Sequence, residues 1–410
     1  MREMRDSGVE WIGEIPKDWH ITQTRRLFRN EKNIVGDAAD EYERLALTLK
    51  GVIKRSKNDS EGLQPEKFEG YQILRQNELV FKMIDLENVN TSRVGLSPYT
   101  GLVSPAYIVL KNDSDDNRYE YYWFMSMYYN EVFNHLGGDG VRSALNVKDM
   151  LSLPIPNISK IQKKTLADYL DVKCSKIDEI IEKQQAIIEK LKEYKLSYIN
   201  EVTNVNDGIK CHLGFIGQMK NGFNFTDTSE GHKIKFLGVG DFKDNFFVDK
   251  EEMFSTIISE ENVAEDYMLH SGDIVFVRSN GSKELVGRAI MVNGIEYPVT
   301  YSGFCIRFRN IRPDIIDSKF LLYYFRSLNF RKQLEKYSQG SNISNLNQDL
   351  LSSLQFTIPS KDYQKRMLDE MEIKCKEIDT AVIKFEGMNN KLQEYKKSLI
   401  YEVVTGKKEV

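Results

Sequence analysis

Residues 173–202 read KCSKIDEIIEKQQAIIEKLKEYKLSYINEV, and residues 374–403 read KCKEIDTAVIKFEGMNNKLQEYKKSLIYEV. The two stretches keep a constant offset of 201 (375 − 174 for the paired cysteines) and are identical at 14 of 30 positions without a gap. A repeat of this period is far too long for a solenoid. It therefore predicts a protein of two related halves, each of which ends in one long helix.

Apolar positions in both repeats alternate spacings of three and four, which is the pattern of a heptad seam. The helix-pairing residues predicted from this seam are Cys174, Ile177, Ile181, Gln184, Ile188 and Leu191 in the first copy, and Cys375, Ile378, Val382, Phe385, Asn389 and Leu392 in the second. One helix alone would expose its seam, so the two are expected to pair. Ser159 and Asp362 are the candidate N-caps, and each helix should run for about 40 residues.

Gln184 and Asn389 are uncharged polar interruptions of the two seams. Facing positions in an antiparallel pair have a constant sum, and one register sets Gln184 opposite Asn389 while the apolar positions also meet. The hypothesis is that a buried amide pair specifies this register at some cost in stability. The equally open alternative is that both amides point to solvent. Lys195 and Lys396 fall opposite apolar positions, where their stems can lie along the seam with the ammonium group in water.

The sequence outside the repeats indicates α+β domains. Short β-type runs such as 107–110 and 304–308 are punctuated by Gly, Asn and Asp, which is typical of irregular sheets with long loops. The two domains also echo one another loosely, since Trp11-Ile12-Gly13 resembles Phe215-Ile216-Gly217. The expected parts are a globular domain at 1–152, a long-helix spacer at 153–205, a second globular domain at 206–355 and a second spacer at 356–410.

Composition limits the class of protein. The chain has 410 residues, 41% of them hydrophobic and 29% charged, which is enough for more than one core. A net charge of −4 argues weakly against a generic coat for polyanions, so any nucleic-acid site must be a local patch. No apolar run has the length of a membrane span, and residues 1–19 are polar, so the chain is expected in the cytoplasm. The four cysteines are expected to be reduced, buried thiols.

Several catalytic signatures are missing from the sequence. Adenine methyltransferases hold the flipped base with an Asn/Asp-Pro-Pro-aromatic turn, and the chain contains no Pro-Pro pair. It also has no Gly-x-x-x-x-Gly-Lys-Ser/Thr loop for a triphosphate. Only Cys211-His212 places two soft metal ligands together, without a second pair to complete a tetrahedral site. No two carboxylates are marked as convergent on a substrate, so we expect recognition rather than catalysis, and no metal.

Three blocks of sequence resemble the specificity subunits of type I restriction-modification systems. They are DSGVEWIGEIPKDW at 6–19, the block 95–107 with GLVSPAY at its end, and the two Ile-Pro-led helices that carry Lys-Cys-x-x-Ile-Asp. The resemblance covers the full chain in the order of its parts. It implies two target-recognition domains that each read one half of a split DNA sequence, and two long helices that form an antiparallel coiled coil.

The same resemblance implies the partners and the cofactors. The chain would be the non-catalytic, DNA-reading member of an assembly with double-stranded DNA, two methyltransferase subunits and the restriction (ATPase and nuclease) subunits. S-adenosylmethionine, ATP and magnesium would be bound by those partner subunits, with no cofactor on this chain. A protein-binding coiled-coil scaffold is the alternative function, and it predicts binding that is insensitive to DNA sequence and to salt.

Candidate DNA-binding residues are polar and basic side chains in loops, because base reading needs Arg, Lys, Asn, Gln or Ser at a groove, whereas phosphate anchoring needs only donors and charge. In the first domain they are Lys50, Lys54, Arg55, Lys57 and Arg142; in the second they are Arg278, Ser279, Asn280, Lys283, Ser341 and Asn342. Each of them could instead be an ordinary solvated loop residue, since exposed Lys and Arg are common.

Overall fold

The computed structural model describes residues 2–59, 67–83, 93–136, 145–226, 228, 230–260, 262–279, 284–337 and 345–410. The chain divides into two compact units. Unit 1 comprises Met1–Gln184 and Gly387–Val410, and unit 2 comprises Gln185–Glu386. Each unit combines sheets with helices, so the predicted α+β class is confirmed.

Unit 1 is built from short strands and a few helices. Its strands are β1 (Met4–Asp6), β2 (Glu14–Pro16), β3 (His20–Gln23), β4 (Arg44–Thr48), β5 (Gly51–Arg55), β6 (Gln72–Leu74), β7 (Leu79–Phe81), β8 (Val94–Leu96), β9 (Gly101–Val103), β10 (Ile108–Leu110) and β11 (Pro154–Asn157). Its helices are α1 (Arg118–Tyr129), α2 (Val132–Leu136), α3 (Val147–Ser152) and the first part of α4 (Lys160–Thr203). The strands form a sheet in the order β5-β4-β9-β6, a sheet in the order β10-β7-β8, and the two-stranded ribbons β1-β2 and β11-β3.

Unit 2 has a larger central sheet. Its strands are β12 (Ile209–His212), β13 (Gly217–Asn221), β14 (His232–Leu237), β15 (Phe247–Val248), β16 (Ser255–Ser259), β17 (Ile274–Val277), β18 (Ala289–Val292), β19 (Thr300–Tyr301), β20 (Cys305–Asn310) and β21 (Gln355–Ile358). Its helices are α5 (Leu213–Ile216), α6 (Ser318–Phe325), α7 (Leu328–Tyr337), α8 (Gln348–Ser353) and the first part of α9 (Lys361–Val404). The sheets have the orders β13-β20-β17-β18-β15 and β16-β14-β19, and β12 pairs with β21.

The two units repeat the same connections around one ribbon. The strand that precedes each long helix pairs antiparallel with an early strand of its unit, β11 with β3 and β21 with β12. The residue after the early strand donates its backbone N–H across this ribbon in both units, Thr24 to the Leu153 carbonyl at 2.8 Å and Leu213 to the Leu354 carbonyl at 2.9 Å. Thr24 is therefore the counterpart of Leu213.

This equivalence corrects one echo seen in the sequence. Trp11-Ile12-Gly13 precedes β3, whereas Phe215-Ile216-Gly217 follows β12, the counterpart of β3. The two tripeptides are not structural equivalents. Their likeness is the common occurrence of an aromatic and an aliphatic residue before glycine, and it carries no information about topology.

The long helices α4 and α9 contain 44 residues each. Ser159 caps α4, because its Oγ accepts from Gln162 N at 3.2 Å while the Gln162 side chain accepts from Ser159 N. The prediction of Asp362 as the cap of α9 is wrong. The Oγ of Ser360 accepts from Tyr363 N at 3.3 Å, and Asp362 lies in the first turn, where a carboxylate favours the positive end of the helix dipole.

In unit 2 the two long helices run antiparallel. Tyr363 near the start of α9 donates to the Val202 carbonyl near the end of α4 at 3.0 Å, and Asp379 further along α9 contacts Lys195 earlier on α4 at 2.7 Å. A small apolar cluster of the predicted seam lies here, composed of Ile188, Leu191, Ile378, Val382 and Phe385. Cys375 belongs to the main core of the same unit.

In unit 1 the other portions of the same helices meet. Leu170, Cys174 and Ile177 of α4 share one core cluster with Leu399 and Val403 of α9, and Ile181 and Leu392 pack against it. Lys396 contacts Asp178 at 2.7 Å, which repeats the Lys195–Asp379 pair at the offset of 201. Both lysine ammonium groups, predicted to point to water, therefore lie against carboxylates of the facing helix.

Candidate nucleic-acid interface

Two backbone contacts join the residues that flank the nominated loops of unit 2. Leu346 N donates to the Arg278 carbonyl at 2.8 Å, and Ser279 and Asn345 form an isolated antiparallel bridge. Arg278 directly follows β17, the buried middle strand of the five-stranded sheet. We call these four residues the loop junction of unit 2. Two loops that the sequence nominates separately thus have their anchors at one place.

An exposed aromatic side chain lies beside this junction. The Phe304 carbonyl accepts from Arg278 N at 2.8 Å, and the Phe304 side chain is 59% exposed. The sequence analysis did not nominate Phe304, although its position in the turn before β20, next to Gly303, is the signal that could have found it. An exposed ring of this kind can stack on a base or wedge into a base step.

The Arg278 guanidinium is partly committed within unit 2. Its Nη1 donates to the Gly303 carbonyl at 3.3 Å, and its Nε is buried without a hydrogen-bond partner among the described residues. Its remaining donors keep the fork that can read a guanine edge or hold a phosphate. Ser279 lies next to it at the bridge to Asn345.

Unit 1 has a junction at the same place in its chain order. Leu145 N donates to the Met83 carbonyl at 3.1 Å, shortly after β7, which is the counterpart of β17. In both units an asparagine caps the helix that follows the junction, with Asn146 accepting from Asp149 N and Asn347 accepting from Leu350 N. These caps fix the end of each returning loop. The chain that leaves the unit 1 junction after Met83 was not nominated from the sequence.

Several nominated residues lie outside the part of the chain that the structure describes. They are Arg142 in unit 1 and Asn280, Lys283, Ser341 and Asn342 in unit 2.

The basic cluster of unit 1 lies elsewhere, on and after the β4-β5 hairpin. Lys54 contacts Glu43 at 2.5 Å, Arg55 contacts Asp59 at 2.5 Å, and Lys57 donates to the Ala39 carbonyl at 2.7 Å. The hydrogen bond from Lys54 to Glu43 raises the pKa of Lys54. The structure does not bring this cluster to the junction of Met83 and Leu145 through any of these contacts, and carboxylates within unit 1 already offset much of its charge. Of the four residues, Lys50 alone makes no ion pair with the described residues.

The cysteines and the acidic residues offer no second kind of site. Cys174, Cys305 and Cys375 are buried thiols, as predicted, while Cys211 is only half-buried. Burial raises the pKa of Cys174 to about 11, so this thiol stays protonated at neutral pH. Among the described residues, no group of three or more His, Cys, Asp or Glu side chains could hold a metal ion. None of the helices in the described ranges combines the length and the apolar content that crossing a bilayer requires.

Comparison with known proteins places the chain in one family. Residues 211–400 match the family model for the type I restriction modification DNA specificity domain. The specificity subunit of the type I restriction enzyme StySPI from Salmonella potsdam is 26% identical over 270 residues, which are 60% of this chain and 56% of that subunit. The specificity subunit of the type I enzyme EcoKI from Escherichia coli K12 is 25% identical over 146 residues, 35% of this chain and 31% of that subunit. The match thus spans about half the length of the StySPI subunit.

A solved structure has the same fold. It comes from work on the complex assembly and conformational transition of a type I restriction-modification system, and it aligns with a TM-score of 0.69 over 95% of this chain and 98% of that chain at 12% identity. At this identity the likeness concerns the fold alone. Taken with the family match over residues 211–400 and the two curated relatives, the chain belongs to the family of type I restriction-modification specificity subunits.

Proposed function

We propose that this chain is the DNA sequence-recognition subunit of a type I restriction-modification complex, in which each unit reads one half of a split target. The observation that carries the proposal is the presence of a loop junction at the same place in both units, Met83 with Leu145 and Arg278 with Leu346. Loops that leave a rigid sheet edge side by side can present donors to a groove, whereas the scaffold beneath them stays fixed.

The contents of unit 2's junction suit a base-reading surface. Arg278 supplies a guanidinium, Ser279 a hydroxyl and Phe304 an exposed ring, and these are the groups that read base edges, hold phosphates and stack on bases. The net charge of −4 makes a local surface of this kind the expected form of a DNA site.

The partners in this proposal are double-stranded DNA, two methyltransferase subunits and the restriction subunits, and the setting is the cytoplasm. The methyltransferase subunits would dock on α4 and α9, where large apolar side chains lie exposed: Ile161 and Val172 on α4, Ile373 and Ile383 on α9. Exposed apolar residues in such number along a helix support a protein interface. S-adenosylmethionine, ATP and magnesium would act on those partner subunits, and this chain would add specificity without catalysis.

A mobility-shift experiment tests the proposal. The chain, purified together with its methyltransferase subunits, is titrated into duplexes that carry or lack the methylated sequence of its host. We expect tighter binding to the methylated sequence, with affinity that falls steeply as salt rises, because phosphate contacts release counterions. Equal binding to all duplexes, or binding that salt does not weaken, would favour the scaffold function instead.

A further inference from the structure

Unit 2 contains an open cavity of about 700 Å³ beside the β12-β21 ribbon and α7. Lys210, Lys332 and Lys336 line it, together with amide side chains, and none of the lining residues that the structure describes is acidic. These three lysines make no ion pair with the described residues. A lysine-lined cavity without a carboxylate is unusual in a chain with 61 acidic residues, and it favours an anionic ligand.

The corresponding place in unit 1 is occupied by the chain itself. Trp123 in α1 donates its Nε1 to the Pro154 carbonyl at 3.0 Å, and Tyr324 in α6 donates its hydroxyl to the Gln355 carbonyl at 2.9 Å, so the two aromatic residues are counterparts at the offset of 201. Tyr324 lines the cavity of unit 2. In unit 1, Trp11 packs on Trp123 with ring centroids 5.2 Å apart.

The N-terminal segment fits closely into this place in unit 1. Ile12, Ile15 and Trp19 are buried in the same core cluster as Trp123. Tyr401 donates to the Ile12 carbonyl at 2.9 Å. Gly406 has a φ of 71°, and a Cβ there would lie 2.5 Å from Cγ of Pro16, so only glycine allows this approach. The segment is thus held by apolar packing and by hydrogen bonds to its backbone.

Unit 2 has too little chain at the corresponding point to fill its cavity. Residues 204–208 connect α4 to β12, whereas residues 405–410 and 1–19 are available in unit 1 between the end of α9 and β3. Asn204 and Asn206 of this short connection line the cavity rather than cover it.

We propose that the cavity of unit 2 binds an acidic polypeptide segment of a partner chain, placed as residues 9–19 are placed in unit 1. The position identifies a peptide, because a peptide occupies the counterpart. The unpaired lysines select carboxylates, the amides of Asn329 and Gln333 suit a peptide backbone, and Tyr324 and Phe356 offer aromatic surface. The segment of unit 1 has this character, since residues 6–19 carry four acidic residues and one lysine, a net charge of −3 (−4 + 1).

A fluorescently labelled peptide of residues 6–19 is the probe, and fluorescence anisotropy with the full-length chain is the measurement, without DNA. We expect saturable binding that weakens about tenfold or more in Lys332→Glu/Lys336→Glu. The control variant Lys233→Glu/Lys250→Glu, which makes the same change of charge on exposed lysines of unit 2 that do not line this cavity, is expected to bind like the wild type.

A charge swap separates the cavity from a displaced N-terminus and from misfolding of the variant. The peptide with Glu10→Lys and Glu14→Lys should bind wild type about tenfold more weakly and recover on Lys332→Glu/Lys336→Glu. If the reversed peptide binds wild type as well as the native one does, or if both lysine variants bind the native peptide alike, the proposal is wrong. Displacement of the peptide by a single-stranded oligonucleotide but not by excess unlabelled peptide would overturn it too, in favour of a nucleic-acid backbone.

Discussion

Arg118 and Lys319 occupy equivalent positions and tie a core helix to a long helix within their own units. Arg118 in α1 contacts Asp116 at 2.6 Å, Asp168 at 2.8 Å and Asp171 at 2.5 Å. Lys319 in α6 contacts Glu372 at 2.7 Å, which is the Arg118–Asp171 pair moved by the offset of 201. The planar guanidinium serves three carboxylates, whereas the ammonium group serves one, so the contact in unit 1 should matter more.

We predict that Arg118→Ala lowers the free energy of unfolding by about 1 kcal/mol, because the exposed part of the network is screened by water. Lys319→Ala is the matched control and should have the smaller effect. Denaturant titration measures both. An equal or larger loss from Lys319→Ala would contradict this ranking.

The same network predicts a pH dependence. Hydrogen bonds from Arg118 hold the pKa of Asp116 and of Asp168 below its usual range. A lowered pKa in the folded state means that the stabilisation is present above the usual carboxyl pKa and is lost as pH falls through the lowered value. The difference in stability between wild type and Arg118→Ala should therefore be constant near neutral pH and shrink in acid. A difference that grows on acidification would contradict the assignment.

Arg278→Ala tests the loop junction of unit 2. If the guanidinium makes a bidentate base contact, binding to the cognate half-site should weaken by about 1 to 3 kcal/mol while binding to scrambled duplexes stays unchanged. A phosphate contact would instead weaken all sequences alike. Arg312→Ala removes an exposed arginine of the same unit that pairs with Asp314, and should leave both affinities unchanged. No change in either affinity on Arg278→Ala would remove this residue from the candidate site.

At the scale of the helices, the fate of Gln184 and Asn389 differs from both hypotheses. Both side chains are buried in unit 1, at 8% and 7% exposure, so they do not point to solvent. Yet Oε1 of Gln184 and Oδ1 of Asn389 each lack a hydrogen-bond partner among the described residues, so they do not bond to one another. A buried carbonyl without a partner destabilises a fold by about 1 to 3 kcal/mol.

Gln184→Leu combined with Asn389→Leu should therefore raise the melting temperature of the chain. The replacements remove two unsatisfied polar groups and continue the apolar seam. Gln185→Leu is the control, since the Gln185 side chain is exposed and bonds to Glu189 at 2.9 Å; it should leave the melting temperature close to that of wild type. A lower melting temperature for the double variant would mean that the two amides stabilise the helix pair.

The sequence predicted the helices well because their information is local and was present twice. Periodicity located the seam, and the repeat fixed the equivalent positions. It could not supply the carboxylates opposite Lys195 and Lys396, because Asp178 and Asp379 stand next to apolar seam positions and their direction depends on the packed pair. The doubled Ile-Asp was the available signal. Asp362 was mistaken for a cap because Ser360, a better cap residue, lies only two positions earlier.

For the whole molecule, the two related halves were readable from the sequence, but their loop junctions were not. The contact of Met83 with Leu145 joins residues that are far apart in the chain, and strand pairing across such distances has no local pattern. The basic cluster at Lys54, Arg55 and Lys57 was nominated on charge alone, and the structure places carboxylates or a carbonyl against each member. The extra segment that fills unit 1 also needed the structure, because only the ribbons β11-β3 and β12-β21 align the two units.

Sequencing that maps methylated bases tests the division of labour between the units most directly. The chain is produced with its methyltransferase subunits in a host that lacks other methylation, once as wild type and once as Arg278→Ala/Phe304→Ala, both changes lying at the junction of unit 2. We predict that wild type methylates a split sequence, and that the variant relaxes the bases of one half while the other half and the spacing between them stay the same. A contiguous methylated sequence, or a variant that alters both halves together, would contradict a protein in which each unit reads its own half.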